Sequence, residues 1–122
     1  MSTPVGPYSP IVRAGSWLIC SGQLGLAPAE DGTPALVDGG PGPQLRRAVA
    51  NAAGLLESEG ASLTDVVKTT VFATDSADFP VVNEAYVAAF DGYRPARSMV
   101  AVSALPMGAA VEIEVWAHRD PS

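Results

Sequence analysis

The sequence predicts an α+β fold in the order β-β-α-β-α-β-β, with two helices on one face of a mainly antiparallel or mixed sheet. Three observations carry that prediction. Apolar residues recur at helical spacing in only two stretches, 44–59 and 78–90. The segments around them are short, rich in β-branched residues, and bounded by Gly and Pro. None of the strand-like segments at 66–73, 99–103 and 111–117 has a cleanly polar second face, a pattern that calls for cover on both sides. With 122 residues there is room for one core, hence a single domain over 1–122.

Taken in order, residues 1–7 form an irregular lead-in, and Pro7 holds the backbone of Gly6 away from the helical region. Ile11 to Arg13 and Trp17 to Ser21 read as a hairpin about Ala14-Gly15, a ribbon too marginal to stand alone. Gly22 to Pro43 reads as loop with a brief strand at 35–37; its glycines match no phosphate-loop spacing. The first helix follows, its stripe made by Leu45, Ala48, Val49, Ala52, Leu55 and Leu56, and Gly60 ends it. Val66 to Ala73 has strand composition. The second helix takes Asp78 as N-cap and Pro80 in its first turn, with Val82, Tyr86 and Phe90 on the inner stripe.

The last two strands, 99–103 and 111–117, are joined by a short turn at Leu105-Pro106. Antiparallel strands with a short connection are usually neighbours, so a hairpin is expected here. It would set Arg97, at the start of the first strand, beside Glu112 and Glu114 in the second. In that second strand Val111, Ile113, Val115 and Ala117 share one side, while Glu112, Glu114 and Trp116 share the other.

Composition narrows the function. Charged residues are only 16% of the chain, against about 25% for an average soluble domain, which suggests either surface hidden against copies of itself or a GC-rich genome that swaps lysine for alanine. The formal charge is −6 and the seven basic residues are scattered, so no nucleic-acid footprint exists. Cys20 is the only cysteine and lies in an apolar run, which makes it a buried hydrophobe and leaves no metal ligand set. His118 is the only histidine and has no serine–acid partner at recognisable spacing. No apolar run approaches the roughly 18–20 residues of a membrane span, and no signal-peptide core opens the chain, so a cytoplasmic location is expected.

Arg97 is the residue best suited to anchor a small carboxylate, because a guanidinium offers a planar fork of donors. Its other reading is a surface arginine, or a structural pair with Glu112 or Glu114. Glu112 could exchange a proton with whatever Arg97 holds, or sit solvated or paired. Tyr8, beside a Gly-Pro turn, is either a pocket wall or a packed aromatic. Asn83 and Ser21 have ordinary alternatives on a polar helix face and in a turn.

Together these residues resemble a known family. Gly6-Pro7-Tyr8-Ser9, Ser21-Gly22-Gln23, Val67-Lys68-Thr69-Thr70-Val71-Phe72, Val82-Asn83 with Tyr86, Pro95-Ala96-Arg97-Ser98, Leu105-Pro106 and Val111-Glu112-Ile113-Glu114 stand in the order typical of the Rid (YjgF/YER057c/UK114) family. The resemblance implies a chorismate-mutase-like fold and a homotrimer whose sheets form the core, with clefts between subunits. It implies hydrolytic deamination of reactive enamines and imines, such as 2-aminoacrylate, to 2-oxo acids and ammonia, with no cofactor and no metal. Arg97 would then bind the substrate carboxylate and Glu112 would orient the water, while Tyr8, Ser21, Asn83 and the backbone of Met99 contribute to the cleft. Two alternatives stay open: a non-catalytic trimer that binds small carboxylates or stabilises proteins, and a deaminase for a larger catabolic enamine. The chain departs from the family pattern at Pro10, at Met99 in place of a cysteine, in a shortened link from Phe90 to Arg97, and at Arg94, where an apolar residue is common.

Overall fold

The computed structural model describes residues 6–121; the first five residues of the expected lead-in lie outside them. The main sheet has five strands in the order β1-β2-β7-β5-β6, where β1 is Ile11–Ala14, β2 Trp17–Gln23, β5 Val66–Ala73, β6 Ala96–Ala101 and β7 Val111–His118. Two helices, α1 (Pro41–Ser58) and α2 (Phe79–Ala89), pack on one face of it. The α+β class and the main element order are those the sequence predicts, and the sheet is mixed: β5 and β6 run parallel, the other pairs antiparallel. Among the described residues no helix is long and apolar enough to cross a membrane.

The core follows from the periodicities. The six stripe residues of α1 are all buried, and they meet Leu18 and Cys20 of β2 and Val111, Ile113, Val115 and Ala117 of β7. Those four β7 side chains are fully buried, which is why β7 sits at the centre of the sheet rather than at its rim. Cys20 belongs to this core, and burial pushes its thiol pKa up to about 12, so it is inert as a nucleophile.

Three expectations need correction. The segment 22–43 is not simply loop: β3 (Leu26–Pro28) pairs with β4 (Pro34–Leu36) in a separate hairpin. Helix side chains, which no strand pattern reveals, hold this hairpin in place. Asn51 Nδ2 donates to the Leu24 and Leu26 carbonyls, and Arg47 Nε donates to Leu26. Next, α1 begins at Pro41, not Gln44, because proline lacks only an N–H that the first turn leaves unused. Gly40 supplies the entry at φ 84°, a conformation open to glycine at little cost.

The third correction bears on function. β6 and β7 are not a hairpin, because β5 lies between them. Strand β5 takes its parallel partner β6 through the α2 crossover, and β7 turns back to fill the slot between β5 and β2, where its apolar side is buried on α1. The parallel register begins at Lys68 opposite Ala96, which starts β6 three residues earlier than expected, straight after Pro95.

The opposite sheet face has no helix packed on it among the described residues. Val12, Trp17, Val100 and Trp116 remain 40% exposed or more, and Trp17 meets Trp116 edge-on at 6.1 Å between centroids. Gly54 marks another open place, on α1, since nothing stands within 4 Å of where its Cβ would be. Gly54→Ala is therefore expected to stabilise the protein by about 0.5–1 kcal/mol through helix propensity alone. A rise in the urea midpoint at unchanged slope would show it; a lower midpoint would mean that this place on α1 is occupied.

Candidate active site

Arg97 lies in β6 opposite Thr69 of β5, and Thr69 lies opposite Val115 of β7. This row faces the helices. There Arg97 NH1 donates to Asn83 Oδ1 of α2 at 2.8 Å, and the guanidinium carbon sits 4.8 Å from the centre of the Tyr86 ring. Tyr86 is itself fixed, its hydroxyl 2.8 Å from Oγ1 of fully buried Thr69 and its ring 4.6 Å from that of Phe90. Burial raises the Tyr86 pKa, and the Thr69 hydrogen bond and the nearby Arg97 charge oppose that shift. The phenol thus stays neutral and serves as a platform. A guanidinium stacked on an aromatic face and bonded along one edge is held in orientation, and its remaining donors have no side-chain partner among the described residues.

These residues open onto a cavity of about 270 Å³ lined by Asn83, Tyr86, Val87, Gly92, Tyr93, Arg94, Pro95 and Arg97. Tyr93, one of the lining residues, is fixed by donating from its hydroxyl to the Val66 carbonyl at 2.6 Å. A second concavity of about 610 Å³ lies between α1 and the β3–β4 hairpin, away from every residue singled out by the sequence.

Glu112 is on the other face. Its row is Glu112–Phe72–Val100, three residues along from the Arg97 row, and an odd offset places it on the opposite face, so within one chain the sheet separates the two side chains. The half-buried Glu112 lies over Gly22 in the irregular stretch of β2. A Cβ on that glycine would meet Glu112 Oε2 at 2.6 Å, so a side chain there would push the Glu112 carboxylate out of its present position. Burial, with Glu114 adding to it, raises the Glu112 pKa above the usual carboxylate range. Ser21 precedes Gly22 and ties down the N-terminal segment: Oγ donates to the Ser9 carbonyl at 2.7 Å, and its N–H to the Pro10 carbonyl at 2.9 Å. Tyr8, next to that anchor, is 45% exposed.

The structure therefore groups the predicted residues into two sets. Arg97 and Asn83 stand together on the helix face, with Met99 two residues along the strand and its side chain packed on the core. Glu112 and Ser21 belong to the other face, with Tyr8 on the segment that Ser21 tethers. Tyr86 and Gly22 were legible only as an inner-stripe aromatic and a turn glycine. Periodicity cannot show that the one carries a cation and the other makes room for a carboxylate.

Comparison with known proteins gives the family of the chain. Residues 1–119 match the family model described as endoribonuclease L-PSP. The chain is 41% identical over 117 residues to a mouse 2-iminobutanoate/2-iminopropanoate deaminase, covering 96% of this chain and 84% of the relative. Among solved structures, RidA from the Antarctic bacterium Psychrobacter superposes with a TM-score of 0.86 at 41% identity, over 95% of this chain and 91% of that one. Escherichia coli TdcF with bound serine superposes at 0.83 and 37% identity, over 96% and 91% of the two chains. By sequence and by fold alike, this chain belongs to the endoribonuclease L-PSP family, that of RidA, YjgF and UK114.

Proposed function

We propose that the protein hydrolyses 2-imino acids and their enamine tautomers to 2-oxo acids and ammonia, in clefts where Arg97 of one copy meets Glu112 of the next. The observation that carries this reading is the preset guanidinium. Arg97 is braced by Asn83 and Tyr86, has no carboxylate partner among the described residues, and lines a cavity of substrate size. The kinship with 2-iminobutanoate/2-iminopropanoate deaminases, and with a protein solved with an amino acid bound, supports it.

The chemistry follows from what these groups offer. The free edge of the Arg97 fork takes the substrate carboxylate, which fixes the adjacent C=N carbon relative to the protein. Water adds to that carbon and gives a carbinolamine. Glu112 accepts a proton from the water and passes it to nitrogen; it then relays the hydroxyl proton to the same nitrogen, so that ammonia leaves as the C–N bond breaks and the carbonyl forms. A carboxyl whose pKa is raised by burial suits that exchange better than a solvated one.

A common site needs a second chain, because one sheet cannot bring its two faces together. The uncovered face bearing Glu112 and the exposed apolar residues is where another copy would dock, and a closed homotrimer is the assembly we propose.

Glu112→Gln tests the proton-transfer half. The variant is expected to bind a carboxylate analogue as wild type does and to release ammonia about 10²–10⁴-fold more slowly from imines generated in situ. In wild type the deprotonated form acts, so the rate should fall as pH is lowered through a pKa above the ordinary glutamate value, and this acid limb should vanish in Glu112→Gln. An unchanged rate in the variant removes Glu112 from the mechanism.

A further inference from the structure

The cavity holding Arg97 contains a second cation. Arg94 lines it too, and no carboxylate does, in a chain with thirteen acidic residues against seven basic ones. Arg13 and Arg119 have salt-bridge partners in Glu59 and Asp65, whereas among the described residues neither Arg94 nor Arg97 has one. Two guanidiniums facing one concavity without a counter-charge repel each other, and an anion between them relieves that cost.

We propose that Arg94 binds a second acid group, and that the substrates this protein handles best are imines of dicarboxylic amino acids. Arg97 holds the carboxylate next to the C=N carbon, and Arg94 holds the distal one. The proposal rests on the deaminase function above and adds its substrate class.

The setting of Arg94 is built for such a contact. On one side Tyr93 is locked by its 2.6 Å hydrogen bond to the Val66 carbonyl and packs against the core. On the other side Pro95 fixes its own φ and restricts the backbone of Arg94 to extended conformations. The arginine stem therefore leaves a stiff Tyr-Arg-Pro segment, so little backbone ordering is left to lose on binding. The acids nearest in sequence, Asp91 and Glu84, do not line the cavity and form no ion pair with either arginine among the described residues. A substrate with a single carboxylate engages Arg97 and leaves Arg94 unpaired; a diacid of modest length satisfies both.

The test compares wild type, Arg94→Leu and Arg94→Lys on imines formed in situ by oxidation of aspartate or glutamate and of alanine or 2-aminobutyrate. The quantity read is the ratio of kcat/KM for dicarboxylic over monocarboxylic imines. Arg94→Leu is expected to lower that ratio at least about tenfold, the size of one lost charge-assisted hydrogen bond, and Arg94→Lys to retain most of it. A ratio unchanged in Arg94→Leu overturns the role of Arg94, and the deaminase function stands provided monocarboxylic imines are still accelerated. If wild type accelerates neither class, the deaminase function fails, and titration with succinate against butyrate decides the two-cation site alone. A succinate preference lost in Arg94→Leu upholds it; equal affinities in wild type overturn it.

Discussion

Replacing Arg97 with alanine is expected to lower kcat/KM for 2-imino acids by about thirtyfold to several thousandfold, the equivalent of roughly 2–5 kcal/mol for a desolvated charge-paired anchor. The fold should survive, because Arg97 is exposed and contributes one hydrogen bond and one ring contact, to Asn83 and Tyr86. Arg97→Lys keeps the charge but not the fork, and should recover little of the loss. Continuous detection of ammonia or 2-oxo acid reads the effect, and wild-type acceleration in Arg97→Ala would sink the proposed function.

The same variant tests the division of the site between copies. Arg97 and Glu112 project from opposite faces of one sheet, so neither Arg97→Ala nor Glu112→Gln alone leaves a complete site in any assembly. Refolded together in equal amounts, the two variants should regain about a quarter of wild-type activity, since random closure of a ring pairs an intact Arg97 with an intact neighbouring Glu112 in that fraction of clefts. No recovery in mixed assemblies of confirmed composition would place both residues in one chain's site or in none.

The largest expected effect on stability is at Gly25. A Cβ there would stand 2.5 Å from the Gln44 carbonyl oxygen and 2.6 Å from its Cα, both backbone atoms of α1. No side-chain rotation relieves such a clash; the helix must move. Gln44 is buried, and its Oε1 accepts the Ala110 N–H at 2.9 Å, so a shifted α1 also loses its tie to the segment leading into β7. Gly25→Ala is expected to cost about 3 kcal/mol and to lower Tm by about 10 °C. Gly54→Ala, at an open place on the same helix, is the matched control with the opposite sign. Equal Tm values for Gly25→Ala and wild type would mean that the β2–β3 link does not press on α1.

The sequence was most informative where one physical signal dominates. The stripes of α1 and α2, the burial of alternate residues in β7, and Asp78 at the N-cap position of α2 were all readable, because apolar period and Pro placement report directly on which side faces the core. Even there the Asp78 side chain makes no capping bond; Asp75 instead accepts from Ala77 in the turn before the helix. The β3–β4 hairpin was less legible, since its position depends on Asn51 and Arg47 reaching across from α1, and the expected β6–β7 hairpin was misplaced. A short connection favours neighbours in space but does not forbid a third strand from entering the gap, and burial of the β7 apolar side outweighed it.

By itself, then, the sequence determined the α+β class, the two helices, the central apolar strand and the family, because alternation, helical spacing and collinear motifs are properties of the chain. Only the tertiary structure decided that Arg97 and Glu112 face away from each other, that Tyr86 carries the guanidinium, and that Arg94 shares its cavity. The reason is strand order: a side chain's face follows from its position in the strand, but its neighbours depend on which strands pair, and that choice is made by the whole core.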